Sequence, residues 1–211
     1  MVLVFIVNNI KKIIDKHLNE GAKKYNVSVE ELKEMAVPEF HLERGEKTIE
    51  FDDYKLAVCI EGSKVQKQFY KPDGDAMKST PSHVKNNTAL NNKLKSLQKE
   101  IKEIQKVYAA QKQRIDNQFI LNRTWDLASF KKYYINHGLI YPIASKLIWY
   151  FKKDGMECQA IMLGGSWYTV ENDKVDWIDE TTEVSLWHPV NATETQIIQW
   201  RKRIMDLEWK Q

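Results

Sequence analysis

With 211 residues, 43% of them apolar and 11% aromatic, the chain is long enough to bury a core in one large domain or two small ones, which excludes a disordered or low-complexity protein. Its 32 basic and 29 acidic residues leave a net charge of +3, so there is no global electrostatic case for nucleic acid or an acidic membrane. The opening "MVLVFIV" lacks a basic flank and a cleavage site, and no run approaches the ~18 apolar residues of a membrane span. The expectation is a soluble, cytoplasmic protein with no membrane partner.

In chain order, the first apolar run reads as a buried strand, a helix's first turns or the cut surface of a longer chain. Ile10, Ile13, Ile14, His17, Leu18, Ala22 and Tyr25 then recur at helical spacing, and "SVEE" follows as a capping box opening a short helix that Pro38 ends. Between Lys47 and Tyr70 the period changes to two, which predicts three short antiparallel strands. "KPDGDAMKSTPSHVKNN" has turn residues and no period, so a loop or linker is expected. From Thr88 to Leu121 a seam of Leu90, Leu94, Leu97, Ile101, Ile104 and Tyr108 stutters at Gln111 and resumes at Ile115 and Phe119. That predicts a helix roughly 50 Å long, which must cross the domain or pair with a partner.

Beyond it, Asp126 is expected to cap a helix through Phe130, Tyr133 and Tyr134 that stops at His137-Gly138, with Gly138 as the C-terminal glycine. Pro142 opens another short helix. "LIWYF", "CQAIML", "SWYTV" and "EVSLW" read as strands with turns at "KKDG" and "GG", and Thr193 with Gln196 caps the last helix. Four of the seven tryptophans, Trp167, Trp177, Trp187 and Trp200, fall within 34 residues, and that end should hold the densest core. The fold class is α+β: helices including one long central helix, with two small antiparallel β meanders. The segments are residues 1–85, helices and a three-stranded meander; 86–147, the helical region; and 148–211, strands and the last helix, combined in one composite domain.

No constellation carries chemistry. Cys59 and Cys158 lie far apart without a CxxC, which predicts reduced, buried thiols. His17, His41, His83 and His137 share no metal-type spacing, and "LGGSW" is a hairpin turn because a strand follows it rather than a helix. His188 has no orienting carboxylate in "EVSLWHPVNA". It reads as a corner residue bonded to backbone, between Trp187, the last buried strand residue, and Pro189, which cannot continue the ladder. Residues 85–123 carry a local excess of six positive charges, and Lys95, Lys99, Lys102 and Lys106 form a possible nucleic-acid face. No aromatic residues interleave with them as a stacking platform requires, and the solvated face of a helix explains the same count.

The segments "NVSVEELKEMAVPEFHLERGEKTIEFDDYKLAVCIEGSKV", "LKSLQKEIKEIQKVYAAQKQRIDN", "NRTWDLASFKKYYINHGLIYPIASKLIWYF" and "VSLWHPVNATETQIIQWRKRIMDLEWKQ" resemble, from about Tyr25 to the end, an uncharacterised domain of MolR-like bacterial proteins. That family takes its name from a molybdate metabolism regulator, often has helical repeats upstream and sometimes carries a WGR domain. The clearest matching segments are "R.W....F" and "LWHP...W". The resemblance brings no catalytic or binding residue, cofactor or metal; Trp187, His188 and Trp200 are the candidate binding residues. It implies a longer parent, of which this chain would be a fragment or shortened member.

The expected function is a non-enzymatic binding or regulatory module whose partner is a protein or other domains of a longer chain, in an oligomeric state the residues leave open. The alternatives are nucleic-acid binding through the basic helix, or an enzyme whose site gathers His41, His137, His188 and nearby acids from distant positions.

Overall fold

The computed structural model describes residues 2–207, with side chains from residue 12 onward, and the chain divides into two compact units, residues 1–38 and 39–211. The first unit is a pair of helices, α1 (Val2–Tyr25) and α2 (Val29–Met35). The opening apolar run therefore forms the first turns of a helix. Its apolar stripe is only partly covered: Ala22 is buried, while Ile13 and Ile14 remain more than half exposed. Asn26 takes a left-handed conformation to leave α1, and the Ser28 hydroxyl accepts the Glu31 amide at 3.0 Å to start α2.

The second unit opens with a four-stranded antiparallel sheet in sequential order, β1 (Glu46–Phe51), β2 (Tyr54–Glu61), β3 (Lys64–Tyr70) and β4 (Ala76–Met77). The predicted linker is thus partly ordered, since it holds β4 and a short helix, α3 (Ser82–Asn86). A strand that pairs only Phe69 with Met77 and Tyr70 with Ala76 is too short to display a period. The sheet's apolar face, Phe51, Leu56 and Phe69, packs with Val84 against Leu94 and Leu97 of the long helix α4 (Thr88–Leu121). The seam predicted from the leucine spacing is therefore the face that α4 turns to the sheet. Polar contacts hold the same pairing at its margin. The Gln105 side chain accepts the Val65 amide and donates to the Ser63 carbonyl, both at 2.8 Å, and the Lys47 ammonium meets Glu100 at 2.6 Å.

Asn122 ends α4 in a left-handed conformation, which asparagine tolerates better than other side chains with a Cβ. The chain turns directly into β5 (Thr124–Asp126), an edge of a second sheet whose order is β5-β9-β6-β7-β8, with β6 (Trp149–Lys153), β7 (Met156–Leu163), β8 (Ser166–Tyr168) and β9 (Glu183–Leu186). Asp154-Gly155 and Gly164-Gly165 have positive φ at both positions, the two-residue hairpin geometry that matches strand twist. β5 was not legible because its three residues overlap the cap: the Asp126 carboxylate accepts the Ser129 amide at 2.8 Å.

The helix predicted from there to His137 is instead one turn, α5 (Leu127–Phe130), running into a π-helical turn at Lys131–Ile135. His137 follows, buried, with its Nδ1 accepting the amides of Leu139 and Ile140 ahead of α6 (Tyr141–Ala144). Gly138 serves a different purpose from the one expected. Its φ is not among the positive ones, but a Cβ there would lie 1.8 Å from the Leu42 carbonyl oxygen. A close backbone approach, not a left-handed stop, requires the glycine.

Alternation along the second sheet gives it two different faces. One carries Trp125, Trp149, Phe151 and Val184, all buried, and meets Phe130, Tyr134 and Trp167 in an aromatic cluster with ring centroids 4.6 to 6.3 Å apart. Onto the other face, at Ile148 and Ile161, packs Trp200 of the last helix, α7 (Glu194–Asp206). That helix begins with the predicted capping box of Thr193 and Gln196. The architecture is α+β, with a long helix and two antiparallel sheets. Among the described residues no helix is long and apolar enough to cross a membrane.

Candidate functional site

A polar pocket of about 380 Å³ lies on the face of the second sheet that α7 covers in part. Its floor follows from strand register. Thr124 pairs with Ser185, Ser185 with Tyr150, and Tyr150 with Gln159, so four hydrogen-bonding side chains cross β5, β9, β6 and β7 in one row. Glu157, two residues from Gln159 on β7 and therefore on the same face, accepts a hydrogen bond from the Tyr150 hydroxyl. Burial, followed by that bond and the charge of Glu157, pushes the Tyr150 phenol up to about 12, so it is a neutral hydroxyl at physiological pH.

The walls come from the two helices. Gln118, Asn122 and Arg123 enter from the end of α4 and the turn after it, and Gln196 from the first turn of α7. The left-handed Asn122 directs the chain from helix to strand, and that abrupt change brings Arg123 and Thr124 to the pocket. Arg123 lies over the Trp125 ring, 5.2 Å from its centroid.

The remaining wall is the corner after β9, where Trp187, His188 and Asn191 line the space. Trp187 stands one residue beyond the strand, its amide donating to the Ile148 carbonyl at 3.1 Å, and it is half-buried rather than fully buried. The His188 Nδ1 accepts the Val190 amide at 3.0 Å, and its ring meets Phe119 edge to face at 4.8 Å. Pro189 starts a short 3-10 turn, Pro189–Asn191. His188 is thus bonded to backbone at a strand-to-helix corner, as expected, and it also joins that corner to the end of α4. An unprotonated Nδ1 places the neutral ring's proton on Nε2.

Of the three candidate binding residues, the fold brings Trp187 and His188 to the pocket. Trp200 is 1% exposed and lies behind them, its ring 6.4 Å from that of Trp187. It supports the wall without lining it. Lys95, Lys99, Lys102 and Lys106 are all exposed along α4, on the side away from its buried seam, and they make no part of the pocket. The other histidines lie elsewhere: His41 is exposed, His137 is in the core, and His83 pairs with Asp52 at 2.7 Å. Among the described residues no three His, Cys, Asp or Glu side chains gather at one point. Both cysteines are free but half-buried instead of buried, and burial pushes the Cys158 thiol up to about 11.

Sequence reading missed Gln118, Tyr150, Glu157, Gln159 and Ser185. One signal was present. Gln118 sits three residues after Ile115, at a position the apolar seam would fill, and it is 5% exposed. The polar row had none, because neighbours across a sheet are named by register.

A family model described as a domain of unknown function, DUF4132, matches residues 74–211. The chain belongs to the DUF4132 family. Every residue lining the pocket falls within the DUF4132 match, whereas β1, β2 and β3 precede it. The match begins later than Tyr25. No curated protein and no solved structure matches the chain.

Proposed function

We propose that this DUF4132 domain is a non-enzymatic binding module and that the pocket beside the His188 corner is its recognition surface. Gln118 carries this reading. Its side chain lines the pocket, is nearly fully buried, and has an amide oxygen with no hydrogen-bond partner among the described residues. A buried amide without a partner costs roughly 1 to 3 kcal/mol, a cost that a ligand hydroxyl would remove once the side chain turns its oxygen, which has almost no accessible surface in the unliganded chain, toward the pocket. Apart from the His188 Nε2, which still faces a ligand as a donor, the groups that could do acid-base or nucleophilic work are committed elsewhere. Glu157 is engaged by Tyr150, the Tyr150 phenol and Cys158 thiol are held protonated well above neutral pH, and His188 uses Nδ1 on backbone. In a longer, MolR-like regulatory protein of the bacterial cytoplasm, such a module would report an occupied pocket to neighbouring domains or a protein partner.

A second reading rests on the exposed stripe of Lys95, Lys99, Lys102 and Lys106, where no lysine makes an ion pair among the described residues. That face would take a nucleic-acid backbone. Amide and indole NMR spectra of the chain, recorded with a set of small polar fragments and then with a DNA duplex at several salt concentrations, separate the readings. The binding module predicts shifts at Trp187, Val190 and Asn191 with the fragments unchanged. Duplex binding through α4 that weakens steeply with salt favours the second reading, and fragment turnover would defeat the non-enzymatic one.

A further inference from the structure

We infer that the pocket takes a neutral, hydroxyl-rich ligand of monosaccharide size, an inference that rests on the pocket being the recognition surface proposed above. The first ground is charge. One guanidinium, Arg123, and one carboxylate, Glu157, are balanced, and His188 is the only other titratable side chain there besides the neutral Tyr150 phenol. The rest of the polar lining is amide and hydroxyl. An anion such as phosphate would have to satisfy itself with a single guanidinium that already lies on Trp125 and would sit in the same space as a carboxylate. A cation would meet Arg123.

The second ground is donor and acceptor type. The Gln118 Oε1 needs a donor, as does the remaining acceptor capacity of Glu157. The His188 Nε2–H offers one. Asn122, Gln159 and Asn191 each carry both kinds, while Gln196 has its amide N–H groups to offer, its oxygen accepting from Thr193. A hydroxyl group donates and accepts with the same atom, so a cluster of hydroxyls can satisfy every one of these groups. A peptide amide, whose donor and acceptor are fixed on opposite sides, cannot. The floor row Thr124, Ser185, Tyr150 and Gln159 adds hydroxyl and amide groups side by side across four strands. Trp187 adds an aromatic surface to the lining, of the kind on which the C–H face of a sugar ring can stack, and the pocket's volume lies within the range of small-ligand sites.

The test is isothermal titration of the full chain with D-glucose, D-galactose, D-mannose, N-acetylglucosamine and D-ribose, with their methyl glycosides, and with inorganic phosphate and succinate as charged probes. The expected result is saturable binding of at least one neutral sugar, Kd about 1 mM or tighter, and none of either anion. Equal binding of the methyl glycoside would identify the end of a glycan as the source of the ligand, and its rejection a free sugar. Gln118→Leu should weaken sugar binding at least tenfold while raising the urea midpoint of the unliganded chain, because it removes a buried amide that has no partner. Ser185→Ala, which keeps the strand, should weaken binding several-fold, and Lys67→Ala on the other sheet should leave it unchanged. Binding of phosphate or succinate that Gln118→Leu abolishes would overturn the ligand class and leave the recognition surface standing. Sugar binding indifferent to Gln118→Leu and Ser185→Ala, or no binding by any probe, would overturn the inference.

Discussion

At Asp126 one carboxylate does two jobs. It ends β5 and accepts the Ser129 amide that begins α5. Hydrogen bonding from Ser129, backbone first and then side chain, lowers its pKa below the usual carboxylate range. A group whose folded pKa is depressed adds stability above its unfolded pKa of about 3.9, and that stability is lost as pH falls through the lower folded value. Asp126→Ala should therefore cost about 1 kcal/mol at pH 7, in the range of other helix N-caps, and the difference from wild type should shrink below pH 4. Urea melts at pH 7, 4 and 3 check this, and a difference that stays constant across them would remove the cap from the account. The carboxylate at Asp179 shows the same sign at the surface, where the Lys153 ammonium, then Thr181, hold it down at about 2.

Among the elements, α4 shows how one helix serves two surfaces. Its first half covers the first sheet through Leu94 and Leu97, and its last turn supplies Gln118 to the pocket and Phe119 to His188. Leu97 is 6% exposed and surrounded by the sheet's apolar face. Leu97→Ala should cost ~2 to 5 kcal/mol, as truncation of a packed leucine does. Ile120, 81% exposed on the same helix, is the matched control, and Ile120→Ala should change stability by less than about 0.5 kcal/mol. Equal denaturation midpoints for the two variants would show that the seam is not packed. α4 itself was legible because apolar residues at spacings of three and four repeat over many turns; the structure adds its cap, Asn87, whose side chain accepts the amides of Ala89 and Leu90. β4 and β5 were not, since two or three residues carry no period and are held by their neighbours.

At the scale of the whole molecule, residues 39–211 form a compact unit that contains both sheets, all of α4 and the whole pocket. That unit should fold without residues 1–38. Expressed alone, it should give one cooperative urea transition with the same midpoint by tryptophan fluorescence and far-UV circular dichroism, since all seven tryptophans lie in it. Two separated transitions, or fluorescence that unfolds before the secondary structure, would show that the boundary after residue 38 is not a folding boundary. Local order determined by the sequence itself covers the long helix, the strands Glu46–Phe51, Tyr54–Glu61, Lys64–Tyr70, Trp149–Lys153 and Met156–Leu163, the caps at Ser28, Asp126 and Thr193, and the backbone-bonded histidine at the strand-to-helix corner. Each rests on spacings of two to four residues, which the linear text displays. Tertiary structure alone decided that β9 enters between β5 and β6, that Gly138 must pass the Leu42 carbonyl, and that Thr124, Ser185, Tyr150 and Gln159 stand in a row under Gln118 and His188. The reason is physical: strand order and register bring together residues tens of positions apart through contacts between whole faces, and alternation along a single strand says which residues share a face without saying which strand lies beside it.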